Sequence, residues 1–306
     1  MDASELFAPL SKEEKLKREE ASLYAPSLTY WNLVFLRLKQ NKLALFGLVT
    51  LFVLIVMALI GPLLSPYTYY QTQLPLKNMP PNATFWFGTD ELGRDLFTRC
   101  WWGMRISLFV GMTASLLDLI FGVLFGATAA LRGGKIEEWM MRFADILYSI
   151  PYLLVVILLM VVIGSGLETI ILALALTGWI NMARIVRAQV LQTKQQEFVT
   201  AAFALGASKK RILLQHLIPN AMGPILVTLT FTIPSAIFAE AFLSFLGLGV
   251  QAPVASLGTM ANDGLAALRY YPWRLFFPAT LISLTMLSFN VVGDGLRDIL
   301  DPRLKS

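Results

Sequence analysis

Two acidic residues interrupt otherwise apolar stretches: Asp118 in SLLDLIFGVLFG and Glu240 in AIFAEAFLSF. A carboxylate inside a membrane-length apolar segment is costly, so such residues pair with a neighbour, line a wet path or handle an ion. Each therefore has two open readings, path-lining or structural. A third acidic group, Asp90, Glu91 and Asp95 with Arg94, is packed into FGTDELGRD. It fits a metal or peptide site, or a knot of turns and ion pairs, and the knot is favoured because surface charge clusters are common. No covalent chemistry is indicated. His216 is the single histidine, and no Ser/His pair, paired Asp or HExxH accompanies it, so no catalytic residue is expected. One Cys and one His exclude an internal disulfide and argue against a transition-metal site. The single Gly-Lys pair, Gly134-Lys135, is followed by Ile136 and lacks the upstream glycine of a phosphate loop. This chain is expected to bind no cofactor.

These residues sit in 306 residues that are 56% hydrophobic and only 15% charged, with mean hydropathy +0.64. Such a composition marks an integral membrane protein. The expected fold class is all-α and polytopic, with six spans at about 43–64, 106–131, 143–163, 167–190, 217–246 and 275–292. Around them lie a tail and interfacial helix (1–42), an outer loop (65–105), a five-span core (106–293) and a C-terminal tail (294–306). Within 1–42, SKEEKLKREE suits a short solvated helix capped at Ser11. Tyr30, Trp31, Val34, Phe35 and Leu38 mark one face of an interfacial helix. No cleavable signal peptide is evident.

The net charge of +5 follows topology rather than a nucleic-acid partner. Of the 25 Lys and Arg, 19 fall in 1–42, 132–142, 184–211 and 297–306, and six in the alternate segments. The positive-inside rule then places both termini and the 197–212 loop in the cytoplasm. Gly122 and Gly126 form a small-xxx-small pair suited to close helix packing. Pro151 is expected to kink the third span, and Arg184 and Arg187 to snorkel at the inner end of the fourth. Pro219, Pro224 and Pro234 imply bends in the fifth, which a helix lining a path can tolerate.

One polar, basic stretch stands between apolar segments: EFVTAAFALGASKKRILLQHLIPN, residues 197–220. Phe198, Ala201, Ala202 and Leu205 fall at i, i+3, i+4 and i+7, one face of a short helix. Gly206 suits the position past its end, and Ser208 the cap of a second helix beginning at Lys209. Small residues at Ala201 and Ala202 allow another surface to approach closely.

This stretch resembles the cytoplasmic coupling loop of ATP-binding-cassette importer permeases. Ala201, Ala202, Gly206 and Pro219 match that motif in register. Thr200 stands where the family has Glu (Glu197 lies one turn earlier), His216 where it has Ile, and Ile218 where it has Leu. Two further segments, Phe87–Asp95 with Arg105–Leu108 and the tail GDGLRDILDPRLKS, resemble the C-type permease subunits of oligopeptide, dipeptide and nickel importers. The resemblance implies a type I importer permease in a bacterial cell membrane. Its partners would be a homologous B-type permease, two cytoplasmic ATPases that use ATP and Mg, an extracellular substrate-binding protein, a peptide substrate and membrane lipid. Glu197, Phe198, Thr200, Ala201, Ala202, Leu205, Gly206 and Pro219 would carry ATPase coupling, and Asp118 and Glu240 are candidate path residues. Oligopeptides are favoured, then dipeptides, then nickel or a nickel chelate. A secondary transporter is the rival from another class: it would use Asp118 and Glu240 for ion coupling and leave the 197–212 motif without a purpose.

Overall fold

A computed structural model describes residues 41–251 and 253–300, and all the regular structure among them is helical apart from a lone bridge between Thr89 and Asp95. The helix suggested at Ser11, the interfacial helix at Tyr30–Leu38 and residues 301–306 lie outside the described residues. Ten helices follow in order: α1 (Lys42–Leu64), α2 (Leu96–Arg132), α3 (Gly134–Tyr148), α4 (Tyr152–Ile163), α5 (Leu167–Lys194), α6 (Glu197–Ala204), α7 (Lys209–Ile212), α8 (Ile218–Phe245), α9 (Leu257–Ala266) and α10 (Trp273–Leu300). A π turn, Leu213–Leu217, joins α7 to α8.

Five helical runs are long and apolar enough to cross a bilayer: α1, α2, α5, the run Lys209–Phe245, and α10. Most outrun the expected spans, α2 and α10 by the largest margins. The α2 helix begins at Leu96 because Asp95 caps it, accepting from the Phe97 and Thr98 N–H groups. At the other end of the chain, α10 runs unbroken to Leu300, so residues 294–300 continue the helix of the last span.

The third span is broken rather than gently kinked: α3 and α4 are together long and apolar enough to make a sixth span, and they meet at 77°. Pro151 lacks an N–H and disfavours helical geometry at Ile150, so the chain breaks there. At 12 residues α4 is about 18 Å long, too short for a hydrocarbon core of roughly 30 Å. The α3 helix is amphipathic and bound to α5 by ion pairs. Arg187 meets Glu137 at 2.5 Å, and Arg184 meets Asp145 at 2.6 Å with its guanidinium over the Tyr148 ring. The two arginines expected to snorkel are thus partnered within the chain.

The tightest pairing, α2 with α5, follows from Gly122 and Gly126. A Cβ on Gly126 would collide with the Ala183 backbone, and one on Gly122 with Met182 and the Trp179 carbonyl. The small-xxx-small expectation therefore holds. Apolar packing gathers in three clusters. One joins α1, α2, α9 and α10 around Cys100, Trp101, Met104 and Leu257. A second joins α2, α4, α5 and α8 around Val110, Val156, Ile170 and Leu243. The third contains Ala130, Met182 and Val186, and reaches Val199, Ile212 and Leu217 beside the π turn.

Candidate functional site

The 197–217 segment folds as a capped helical corner. Past Leu205, Gly206 adopts φ +83°, its N–H donates to the Phe203 carbonyl at 3.0 Å, and the Ala207 N–H donates to the Ala202 carbonyl at 3.1 Å. These two bonds make a Schellman cap, which needs a left-handed residue where Gly206 stands. Ser208 then caps α7 by accepting from the Arg211 N–H at 3.3 Å, as its position in the sequence suggested. Pro219, with no N–H, lies in the first turn of α8 just past the π turn. The Asn220 side chain donates to the His216 carbonyl at 2.6 Å.

The corner divides its side chains between two directions. Val199, Ile212 and Leu217 are buried, with Ala202 and Ala207 packed against them. Glu197, Phe198, Thr200, Ala201, Leu205, Gly206 and Pro219 are exposed, Leu205 to 88%. The single face expected for Phe198, Ala201, Ala202 and Leu205 is thus split: Ala202 turns toward the body of the chain, and Phe198, Ala201 and Leu205 turn away.

The two intramembrane acids occupy unlike surroundings. Glu240 on α8 is wholly buried and accepts from Ser107 Oγ on α2 and Ser244 Oγ on its own helix, each at 2.7 Å. The Ser107 bond ties α2 to α8. Asp118 on α2 lies beside a cavity of about 470 Å³ lined also by α5 and α8 residues. Its Oδ1 has no hydrogen-bond partner among the described residues, and Gly178 of α5 presses directly on the carboxylate.

Comparison with known proteins places this arrangement. A family profile described as binding-protein-dependent transport system inner membrane component matches residues 122–306, and one described as the N-terminal TM domain of oligopeptide transport permease C matches residues 29–81. The chain belongs to this permease family. It is 59% identical to the oligopeptide transport system permease protein of Bacillus subtilis, covering 91% of this chain and 92% of the relative. The dipeptide transport system permease protein of the same organism is 58% identical, covering 95% and 92%. The oligopeptide permease of Salmonella typhimurium is 40% identical, covering 96% and 99%. An inward-facing structure of the MetNI methionine transporter matches with TM-score 0.54 at 17% identity, covering 65% of this chain and 94% of that one. That likeness shows the fold, a type I importer permease.

In this permease the charged group at 90–95 forms a knot of turns and ion pairs. Asp90 accepts from the Leu92 and Arg94 N–H groups at 2.9 Å and pairs with Arg94 Nε at 2.6 Å. Asp95 caps α2 and also accepts from Ser65 Oγ and Thr98 Oγ1. Glu91 pairs with Arg274 of α10 at 2.8 Å. Arg105, in the second family-like segment, donates to the Ala58 and Leu59 carbonyls at the end of α1.

Residue-by-residue reading of the sequence missed Ser107 and Ser244 as partners of Glu240, and Gly178 as the neighbour of Asp118. It also missed Thr228, Thr232 and Ser235, whose i, i+4, i+7 spacing on an otherwise apolar helix is a legible polar stripe.

Proposed function

We propose that this permease forms one half of a peptide translocation path, completed by a homologous second permease. Two cytoplasmic ATPases that bind Mg and ATP would drive it, and an extracellular binding protein would supply it. The observation that carries this reading is the exposed apolar face of α6. Phe198, Ala201 and Leu205 project from a corner whose root, Val199, Ile212 and Leu217, is buried in the transmembrane body. An exposed apolar patch rooted in a packed core is suited to receive a partner and pass on its movement.

In this mechanism, closure of the ATPases on nucleotide displaces α6 and α7, and the shift passes through the π turn into α8. The spans then alternate between outward and inward access. Both termini lie on the cytoplasmic side with this corner. Oligopeptides are the favoured cargo, with dipeptides close behind, in line with the names of the two Bacillus relatives at 59% and 58% identity. Nickel or a nickel chelate ranks third.

Reconstitution tests the proposal. Proteoliposomes holding both permeases and both ATPases should take up labelled peptide only when binding protein and ATP are both supplied. Uptake by this chain alone, driven by a proton or sodium gradient, would favour a secondary transporter.

A further inference from the structure

We infer that the cavity beside Asp118 is a station for the α-ammonium group of the travelling peptide. This inference rests on the peptide reading above and names the part of the cargo that this chain grips.

The cavity is bounded by Asp118 of α2, Gly178 and Asn181 of α5, and Thr228, Thr232 and Ser235 of α8. Its volume of about 470 Å³ falls within the range of small-molecule sites. The lining has a definite polarity. Thr228 Oγ1 donates to the Pro224 carbonyl, Thr232 Oγ1 to the Thr228 carbonyl, and Ser235 Oγ to the Phe231 carbonyl, at 2.8–2.9 Å. A hydroxyl has one proton, so each of these three offers the cavity only lone pairs. Asp118 adds a carboxylate, and among the described residues no Lys, Arg or His lines the space. The wall thus sets one acidic group among hydroxyl and amide oxygens, while Tyr152, Thr177 and Asn181 keep donors of their own, and its single charge favours a cationic ligand that carries N–H donors.

The contrast with Glu240 sharpens the assignment. Both acids are buried, yet among the described residues Glu240 alone receives protein donors, from Ser107 and Ser244. Asp118 Oδ1 receives none from the described residues. Buried polar groups in folded proteins are normally satisfied, and an exception calls for a physical reason. Oδ1 itself is closed off from the cavity, so an ammonium group arriving with the substrate would meet the other carboxylate oxygen, Oδ2, with its remaining N–H groups turned to the hydroxyl and amide oxygens of the wall. Gly178 leaves no side chain between the carboxylate and the α5 backbone, so Asp118 can sit at the cavity wall.

The test uses the complete complex in proteoliposomes with its binding protein. Uptake is measured for one labelled oligopeptide with a free N-terminus and for its N-acetylated form, each rate normalised to occupancy of the binding protein. The wild type should favour the free amine about tenfold, the scale of a hydrogen-bonded charge. Asp118→Asn should slow the free-amine peptide about tenfold and leave the acetylated one within about twofold. If Asp118→Asn lowers complex yield, Thr232→Val tests the facing wall and should reduce the same preference about threefold. Exchange of sodium for potassium outside the vesicles should change none of these ratios. Equal wild-type rates for the two peptides, a preference that survives Asp118→Asn or Thr232→Val, or a preference set by the alkali cation would overturn the assignment. If the wild type takes up neither peptide, the peptide reading itself is wrong and this inference falls with it.

Discussion

Asp118 and Gly178 meet across the α2–α5 contact with no room between them: a methyl group at Gly178 would overlap the Asp118 carboxylate. Gly178→Ala should therefore push that carboxylate out of place. Overpacking of this kind costs about 1–3 kcal/mol. Thermal unfolding of the purified complex should show that loss, and Gly178→Ala combined with Asp118→Ala should recover most of it. An unshifted transition in the single variant would mean the contact is looser than described.

The second prediction concerns the corner at 197–217. Leu205→Asp changes a side chain that is 88% exposed, so the permease should fold and insert normally. If α6 docks on an ATPase, the new carboxylate is buried without a partner, at a cost of about 3–5 kcal/mol. ATPase co-purification and transport should fall by two or more decades. Ala202→Asp should in addition lower stability, because Ala202 packs on the chain's own core. Full transport by Leu205→Asp would remove this face from coupling.

Glu240→Gln bears on the structural role of the second acid. The amide keeps one acceptor but turns donors toward Ser107 and Ser244, so one of the two bonds becomes harder to keep. A loss of about 1–3 kcal/mol is expected, read as a lower unfolding temperature. The molecules that remain folded should transport at the wild-type rate. A transport defect at unchanged stability would instead place Glu240 in the path.

Orientation can be read with thiols. Cys100 is fully buried, so a membrane-impermeant maleimide should leave the native chain unlabelled. In a Cys100→Ala background, Leu74→Cys, where the native side chain is 60% exposed, should react in intact cells. Leu205→Cys should react only after permeabilisation. The reverse pattern would invert the positive-inside assignment.

Much of this was legible where local chemistry admits one solution. Gly206 followed by Ser208 can end one helix and start another in few ways, and Gly122 with Gly126 forces a close neighbour. The face of α6 was not legible. In EFVTAAFA both the Phe198–Ala201 and the Val199–Ala202 rows satisfy helical spacing, and Ile212 and Leu217, folded back beneath the helix, decide which row is buried. The break at Pro151 was hidden for a related reason. The residues around it are apolar enough to read as one continuous span, and the sharpness of the break depends on the ion pairs that hold Glu137 and Asp145 of α3 to α5. The unlike fates of Asp118 and Glu240 depend on serines and a glycine from other helices, which no single segment displays.

The run from Lys209 to Phe245 has a mechanical consequence. Its 37 residues make a strut of about 55 Å, nearly twice the hydrocarbon thickness. Tilting it by ~10° about its outer end would sweep the inner end through roughly 10 Å, on the same helical rise. With Glu240 clamped to α2 near the Phe245 end, a ~10 Å excursion where Ser208 begins the strut becomes a displacement of only about 4 Å around Thr228 and Thr232. The geometry acts as a reduction gear: it trades stroke for force at the level where cargo would pass.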